Sequence, residues 1–197
     1  CYVQAGTGGA QFANATIGIG YKALTALTSG INNTAVGYQA LLALTDSVAM
    51  TAFGYGAGSG ITTGSDHCVI IGNIGGAAAM ASSVIIGSDA FNSTGTTAQA
   101  GHVIIGYAAG TAVQTASTGT ILIGQSAGAA LTSGDGNMAI GYQAMASQTN
   151  GNYSTAVGYQ ALNQLNKSGT VGDTAVGYKA GYAQAGSGYE NTFIGQN

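Results

Sequence analysis

A three-residue apolar pattern followed by glycine recurs along the whole chain. The clearest copies are Thr34–Leu41, Thr155–Leu162 and Thr174–Ala180, which begin Thr-Ala-Val-Gly-Tyr, and weaker copies lie between them. The triplets are short and rich in β-branched residues, which is typical of short strands. Glycine allows the backbone to turn where a Cβ atom would clash. The pattern therefore predicts many similar short strands, each ending at a glycine.

The spacing of these glycines predicts how the strands are arranged. Successive glycines lie 15 to 19 residues apart, most of them 17 or 18. A repeat this short cannot bury its own apolar side, so neighbouring repeats must stack on one another. We therefore predict an all-β protein, a parallel β-solenoid of about ten to eleven coils of 17–18 residues. It forms a single domain over residues 1–197, with repeats from about residue 14. The register glycines are Gly20, Gly37, Gly54, Gly72, Gly87, Gly106, Gly124, Gly141, Gly158, Gly177 and Gly195.

The last triplet position, directly before the glycine, is always large and apolar. Neighbouring residues of a strand point to opposite faces, so this position shares a face with the first one. We interpret it as the core inside each coil. Small residues three positions after the glycine predict a thin coil, and Tyr38–Leu41 predicts a second short strand or bend. The predicted core residues are Ile19, Val36, Phe53, Ile71, Ile86, Ile105, Ile123, Ile140, Val157, Val176 and Ile194.

The middle triplet position changes along the chain. It is small near both ends, as in Ala35 and Ala156, and large in the centre. A strand that is apolar on both faces is buried on both faces. We therefore expect the central middle residues to lie between chains, most simply between copies of this chain. The predicted interface consists of Ile70, Ile85, Ile104 and Leu122.

A tyrosine often follows the register glycine, so stacked coils would place these side chains in a row. Such a row could face a ligand such as a glycan, or it could be a packing ladder in which each ring covers the next. Asn73, Ser88 and Gln125 interrupt the row, which argues against one long sugar groove. The tyrosines are Tyr21, Tyr38, Tyr55, Tyr107, Tyr142, Tyr159 and Tyr178.

Composition narrows the classes of function. Charged residues make up only 5% of the chain, with three Lys and no Arg, so no basic stripe can neutralise nucleic-acid phosphates. No apolar run approaches the roughly 20 residues of a membrane span, and we expect no direct membrane insertion. No signal peptide is visible at Cys1. The regular apolar triplets argue against disorder.

Residues that could carry chemistry are few and scattered. Cys1 and Cys68 lie about four coils apart, so a disulfide between them is not expected. His67 and Cys68 are adjacent and point to opposite faces, which makes a poor metal site. His102 lies two coils from His67, and the six acidic residues form no pair of the kind that glycosidases use. We therefore predict no catalytic residues, no metal site, no cofactor and no enzymatic activity.

The segment Asn33–Leu41 resembles the head repeats of trimeric autotransporter adhesins (the YadA-like family) and related repeats of bacteriophage tail fibres and other surface fibres. The resemblance covers roughly residues 14–197. It implies a left-handed parallel β-roll with three chains around one axis, whose head binds matrix or receptor molecules. The repeats here are longer than the typical head repeat, and the central strands carry a larger second residue.

The resulting hypothesis is a structural and adhesive fibre segment, extracellular, on a cell surface or virion. Its partners would be its own copies, as a homotrimer, and a host-surface glycan or matrix protein bound through variable loops such as 75–83 and 92–102. The alternatives are an ice-binding β-solenoid and, less favoured, a carbohydrate-active β-helix protein. The last repeat stops at Asn197 without a polar cap, so we expect a longer parent chain.

Overall fold

The chain is built from short strands joined by turns. The computed structural model describes β1 by its backbone, and residues 15–76, 79–92, 99–113, 117–164, 172–183 and 190–196. No α-helix occurs in these ranges. The strands are β1 (Val3–Gln4), β2 (Ile17–Ile19), β3 (Thr34–Val36), β4 (Thr51–Phe53), β5 (Val69–Ile71), β6 (Met80–Ala81), β7 (Val84–Ile86), β8 (Gln99–Ala100), β9 (Val103–Ile105), β10 (Ile121–Ile123), β11 (Met138–Ile140), β12 (Thr155–Val157), β13 (Thr174–Val176) and β14 (Thr192–Ile194).

Twelve of these strands form one sheet, in the order β1-β2-β3-β4-β5-β7-β9-β10-β11-β12-β13-β14. From β2 onwards all neighbouring strands are parallel and in register, so that Ala35 lies between Gly18 and Ala52. The strand β1 runs antiparallel to β2. Each predicted triplet is a strand, and each coil adds one strand to the sheet. The predicted parallel β-solenoid is therefore confirmed.

In the coils of β2 to β4, β7 and β9 to β13, the segment after the register glycine is a run of turns and not a second strand. In the coil of β3, the amide of Ala40 donates to the carbonyl of Gly37 at 3.4 Å, which is the pattern of a tight turn. Gln39 has a φ of 55° and Leu41 a φ of 49°. The amide of Gln39 donates to the carbonyl of Tyr21 at 2.8 Å. The turn runs of successive coils are thus hydrogen-bonded to one another, as the strands are.

The register glycines are required by both conformation and space. Gly37 has a φ of 141°, which side-chain-bearing residues rarely adopt. A Cβ atom on Gly37 would also collide with the backbone carbonyl of Gly54 in the next coil. Any other residue would push two coils apart at this corner.

In each three-residue strand, the side chain of the middle residue points into the coil. Ala35, Ile85 and Leu122 are fully buried, whereas Phe53 is 57% and Ile194 is 82% exposed. The interpretation of the third position as the coil core was therefore wrong. These side chains point outwards and are half-buried only by their neighbours along the sheet, or are exposed. The corrected residues are Ile19, Val36, Phe53, Ile71, Ile86, Ile105, Ile123, Ile140, Val157, Val176 and Ile194.

The predicted interface between chains was wrong for the same reason. Ile70, Ile85, Ile104 and Leu122 belong to the core of a single chain and have no exposed surface. They need no second chain to cover them, because they already pack in the core of their own chain. Large side chains at the third position had suggested the reverse orientation, but side-chain size alone does not show which face is buried.

The rest of the interior is filled from the turn run, four residues after the register glycine. Leu41 fills this place opposite Ala35, and both side chains are fully buried. In the coils of β9 and β10, where the strand residue is Ile104 or Leu122, the place is taken by glycine, whereas in the coil of β7 both Ile85 and Phe91 are large and fully buried. A Cβ atom on Gly110 would lie 3.2 Å from the Cδ1 atom of Ile104 and 2.8 Å from that of Leu122. The small residues three positions after the glycine, such as Ala40, are buried as predicted.

Buried polar side chains hold consecutive coils together. The side-chain amide of Asn33 donates to the carbonyl of Ser47 at 2.8 Å and its oxygen accepts from the amide of Met50 at 2.9 Å. Asn137 bonds Gly151 and Ser154 in the same way. These bonds satisfy backbone groups that would otherwise be buried without a partner.

Candidate functional site: the outward strand face and the tyrosine row

The first and third residues of the parallel strands form one continuous surface, the outward strand face. Its third-position column holds the eleven residues that were mistaken for the coil core. Its first-position column is Ile17, Thr34, Thr51, Val69, Val84, Val103, Ile121, Met138, Thr155, Thr174 and Thr192. No residue of this face is charged, and its polar members are five threonines near the two ends.

The outward strand face is open to solvent in a single chain. Ile17, Phe53, Ile71, Val176 and Ile194 are among the exposed large hydrophobic residues. Parallel sheets are normally covered on both faces, because their strands are apolar on both sides. The coil covers the inner face only. The arrangement is therefore suited to binding another apolar surface.

The tyrosines form two separate stacks at the corner after the strands. In the N-terminal tyrosine stack, the ring centroids of Tyr21 and Tyr38 are 5.3 Å apart and those of Tyr38 and Tyr55 are 5.0 Å apart. In the C-terminal tyrosine stack, Tyr142, Tyr159 and Tyr178 are 5.1 and 5.3 Å apart. Interplanar angles of 4° to 19° make all four contacts face-to-face, offset stacks.

This stacking supports the packing-ladder interpretation of the row. The ring faces between neighbouring tyrosines cover one another and are closed to a sugar. The outer rings are also approached by cations, since Lys22 Nζ lies 5.4 Å from the centroid of Tyr21 and Lys179 Nζ lies 5.4 Å from that of Tyr178. Tyr107 is exposed and makes no ring contact with another described aromatic residue.

Two buried titratable groups lie in the column directly before the strands. Burial raises the pKa of the Cys68 thiol, which keeps it protonated and unreactive. Burial also lowers the pKa of His102, and the nearby backbone of Ser117 and Thr120 opposes this shift in part. The His102 ring packs against Phe91 with centroids 5.8 Å apart. Both side chains are part of the coil interior.

Three acidic side chains accept hydrogen bonds from backbone amides. Asp66 accepts from the amide of Val48 at 2.8 Å, and Asp135 accepts from the amide of Thr118 at 2.8 Å. Asp173 accepts from the amide of Asn191 at 2.8 Å. Each bond joins two consecutive coils. Among the described residues there is no group of three or more His, Cys, Asp or Glu that could hold a metal ion.

The two loops of unusual length contain structure that the sequence did not predict. β6 and β8 pair in parallel as a separate two-stranded sheet, with Met80 opposite Gln99. Both of these side chains are buried. The remaining parts of the predicted binding loops, residues 77–78 and 93–98, lie outside the described residues. Cys1 lies outside them as well.

Comparison with protein families, with curated proteins and with solved structures finds no match to this chain in any of the three. Within the described part of the chain, no helix is long and apolar enough to cross a membrane. The outward strand face and the tyrosine stacks are therefore the features from which function must be argued.

Proposed function

We propose that this chain is a structural and adhesive segment of a surface fibre, an adhesin or a phage tail fibre, which assembles as a homotrimer through its outward strand face. The fibre would be extracellular, on a cell surface or virion. It would carry or space a site that binds a host-surface glycan or matrix protein.

The observation that carries this proposal is the uncharged, apolar outward strand face. Eleven strands at about 4.8 Å spacing give a face about 50 Å long. With two columns of side chains the face is about 10 Å wide, so its area is on the order of 500 Å². Monomeric soluble proteins rarely leave contiguous apolar patches larger than a few hundred Å² exposed. A second and a third copy of the chain would supply matching surfaces in register.

The resemblance of Asn33–Leu41 to adhesin head repeats supports the same assembly, since three chains around one axis would place their strand faces together. The outward orientation of the third-position side chains supports this argument further. The residues that would meet between chains are now those of the outward strand face, such as Val84, Ile105 and Ile123, and no longer the residues inside the coil.

The test is the native mass of the full chain by analytical ultracentrifugation, for wild type and two lysine variants. Ile105→Lys places a charge at the centre of the outward strand face and should give folded monomers, because an unpaired charge is costly to bury. Ser147→Lys, at an exposed position of a turn run, should leave the trimer intact. A monomeric wild type, or trimers unaffected by Ile105→Lys, would rule out assembly through this face.

Adhesion is tested separately, by binding of the wild-type trimer to immobilised glycans and matrix proteins. Binding that is lost on scrambling residues 93–98, with the native mass unchanged, would support a binding segment. Full binding by the scrambled variant would leave the loop without a role in recognition.

Ice binding is the alternative that one observation favours. Thr34 and Thr51 are neighbours on the outward strand face, as are Thr155, Thr174 and Thr192. Each described strand, however, carries no second Thr at its third position. Thermal hysteresis of the purified protein would support this alternative, and cleavage of glycans would support the carbohydrate-active one.

A further inference from the structure

The two tyrosine stacks place phenol rings of consecutive coils in direct contact. Four neighbouring pairs have ring centroids 5.0 to 5.3 Å apart, and their rings are nearly parallel. All six tyrosines are exposed to solvent. Exposed side chains change rotamer within nanoseconds, so the ortho carbons of two stacked rings can approach each other without any change of the coil.

We propose that the two tyrosine stacks are sites of oxidative cross-linking, at which a peroxide and a haem peroxidase join tyrosines of consecutive coils as dityrosine. Each of the two phenols loses one electron and one proton, and a carbon–carbon bond forms between their ortho positions. One hydrogen peroxide accepts the two electrons and two protons and becomes two water molecules. The inference goes beyond the proposed function and is independent of it, because each bond lies within one chain.

The arrangement of the chain makes these tyrosines different from the others. A radical formed on Tyr38 has a stacked partner on either side, and the same holds for Tyr159. Tyr107 and Tyr153 are also exposed, yet neither makes a ring contact with another described tyrosine. Ring oxidation is therefore open to all of these residues, whereas among the described tyrosines those of the stacks are the ones with a second tyrosine ring in contact to couple with.

The expected consequence is a covalent link between neighbouring coils near each end of the described rod. The residues joined are 17 or 19 positions apart in the sequence. Such a link restricts the unfolded chain and so favours the folded one. The covalent link would join coils whose strands contribute only an alanine to the interior, as in the coils of β3 and β12.

The experiment treats dilute full-length protein with hydrogen peroxide and a haem peroxidase. Wild type should gain dityrosine fluorescence at a rate independent of protein concentration. After denaturation it should migrate as a single chain whose mass has fallen by two hydrogens per bond. Elastase digestion and mass spectrometry should identify linked peptides containing Tyr21 with Tyr38, Tyr38 with Tyr55, Tyr142 with Tyr159, or Tyr159 with Tyr178.

The double variant Tyr38→Phe, Tyr159→Phe tests the assignment. Phenylalanine keeps the stacked ring but cannot form a phenoxyl radical, so intrachain dityrosine should fall at least tenfold while circular dichroism is unchanged. Tyr107→Phe is the matched control and should form as much as wild type. Intrachain dityrosine that persists in the double variant, or links that form only between chains, would overturn the proposal. Failure of the native trimer to form would not affect this outcome.

Discussion

Two coils near the ends of the described rod, those of β3 and β12, and two at its centre, those of β9 and β10, fill the same interior in opposite ways. In the coil of β3, the strand contributes Ala35 and the turn run contributes Leu41. In the coil of β10, the strand contributes Leu122 and the turn run contributes Gly128, whose added Cβ atom would lie 2.7 Å from the Cδ2 atom of Leu122. The coil of β12 follows the first pattern, and the coil of β9 follows the second.

This comparison teaches that in these four coils the two side chains share one volume. Protein interiors are close-packed, so in the coil of β4, where Ala52 and Gly58 are both small, side chains of neighbouring coils such as Leu41 lie against the glycine. A coil of different thickness would also break the register with its neighbours. The trade between the two positions is one way in which a coil keeps its thickness while the sequence changes.

The largest expected effect comes from filling a central coil twice. Gly128→Leu should lower the free energy of unfolding by about 3 kcal/mol or more, from overpacking against Leu122 and a φ of 57°. Adding Leu122→Ala should restore most of that loss, because it recreates the pattern of the end coils. Urea unfolding of both single variants and the double variant measures the coupling.

Gly119→Leu is the control for backbone strain alone. Gly119 has a φ of 64°, and an added Cβ atom would meet no other atom within 4 Å. It should cost about 1 kcal/mol. A loss equal to that of Gly128→Leu would show that packing inside the coil is not the cause.

The reverse change empties an end coil. Leu162→Ala should cost about 3 kcal/mol in the free energy of unfolding, since Leu162 is fully buried opposite Ala156. Adding Ala156→Leu should recover part of this loss by filling the space from the strand side. Strictly additive effects in thermal and urea unfolding would contradict the shared interior.

The third prediction concerns the pH dependence of stability, which His102 should confer on the central coils. Burial lowers the pKa of His102 in the folded state, so the unfolded chain binds the proton first as pH falls below about 6.5. Stability from this residue is therefore complete above that pH and is lost below it, by up to about 1.4 kcal/mol per pH unit. Urea midpoints at a series of pH values measure this loss.

His102→Asn should remove this pH dependence, because asparagine occupies the same column at Asn33 and Asn137 and does not titrate. His67→Asn is the matched control, since His67 is exposed. An unchanged pH profile in His102→Asn would assign the effect to another group.

The smallest expected effect tests a feature that both regions share. Two residues after the register glycine the backbone is left-handed, with a φ of 55° at Gln39 and 54° at Ala108. Ala108→Gly should stabilise the protein by about 0.5 kcal/mol, because glycine adopts this conformation without strain. Ala112→Gly, at a turn position without positive φ, should instead destabilise it by about 0.5 kcal/mol. Equal effects would show that strain is absent at Ala108.

The strands could be predicted from the sequence and their orientation could not. The glycine register located all eleven parallel strands, because glycine at this corner is required by both φ and space. Hydrophobicity could not orient three-residue strands such as Val84–Ile86, which are apolar on both faces. The complementary sizes of Ile104 and Gly110, or of Ala35 and Leu41, are present in the sequence and point to the correct side, but other coils, such as that of Ile85 and Phe91, do not follow the pattern.

The candidate surfaces could also be predicted only in part. The tyrosine row was predicted from spacing alone, and the structure resolved it into two stacks by the exposed Asn73, Ser88 and Gln125 between them. The buried His102 and the pairing of β6 with β8 could not be predicted, because both depend on irregular segments where the repeat changes length.

The antiparallel strand β1 gives the rod a polarity. It occupies the edge of β2, so a parallel coil cannot pair with β2 there. Duplication of a whole coil between β2 and β14 would keep the parallel register, whereas a coil inserted between β1 and β2 would separate the antiparallel pair.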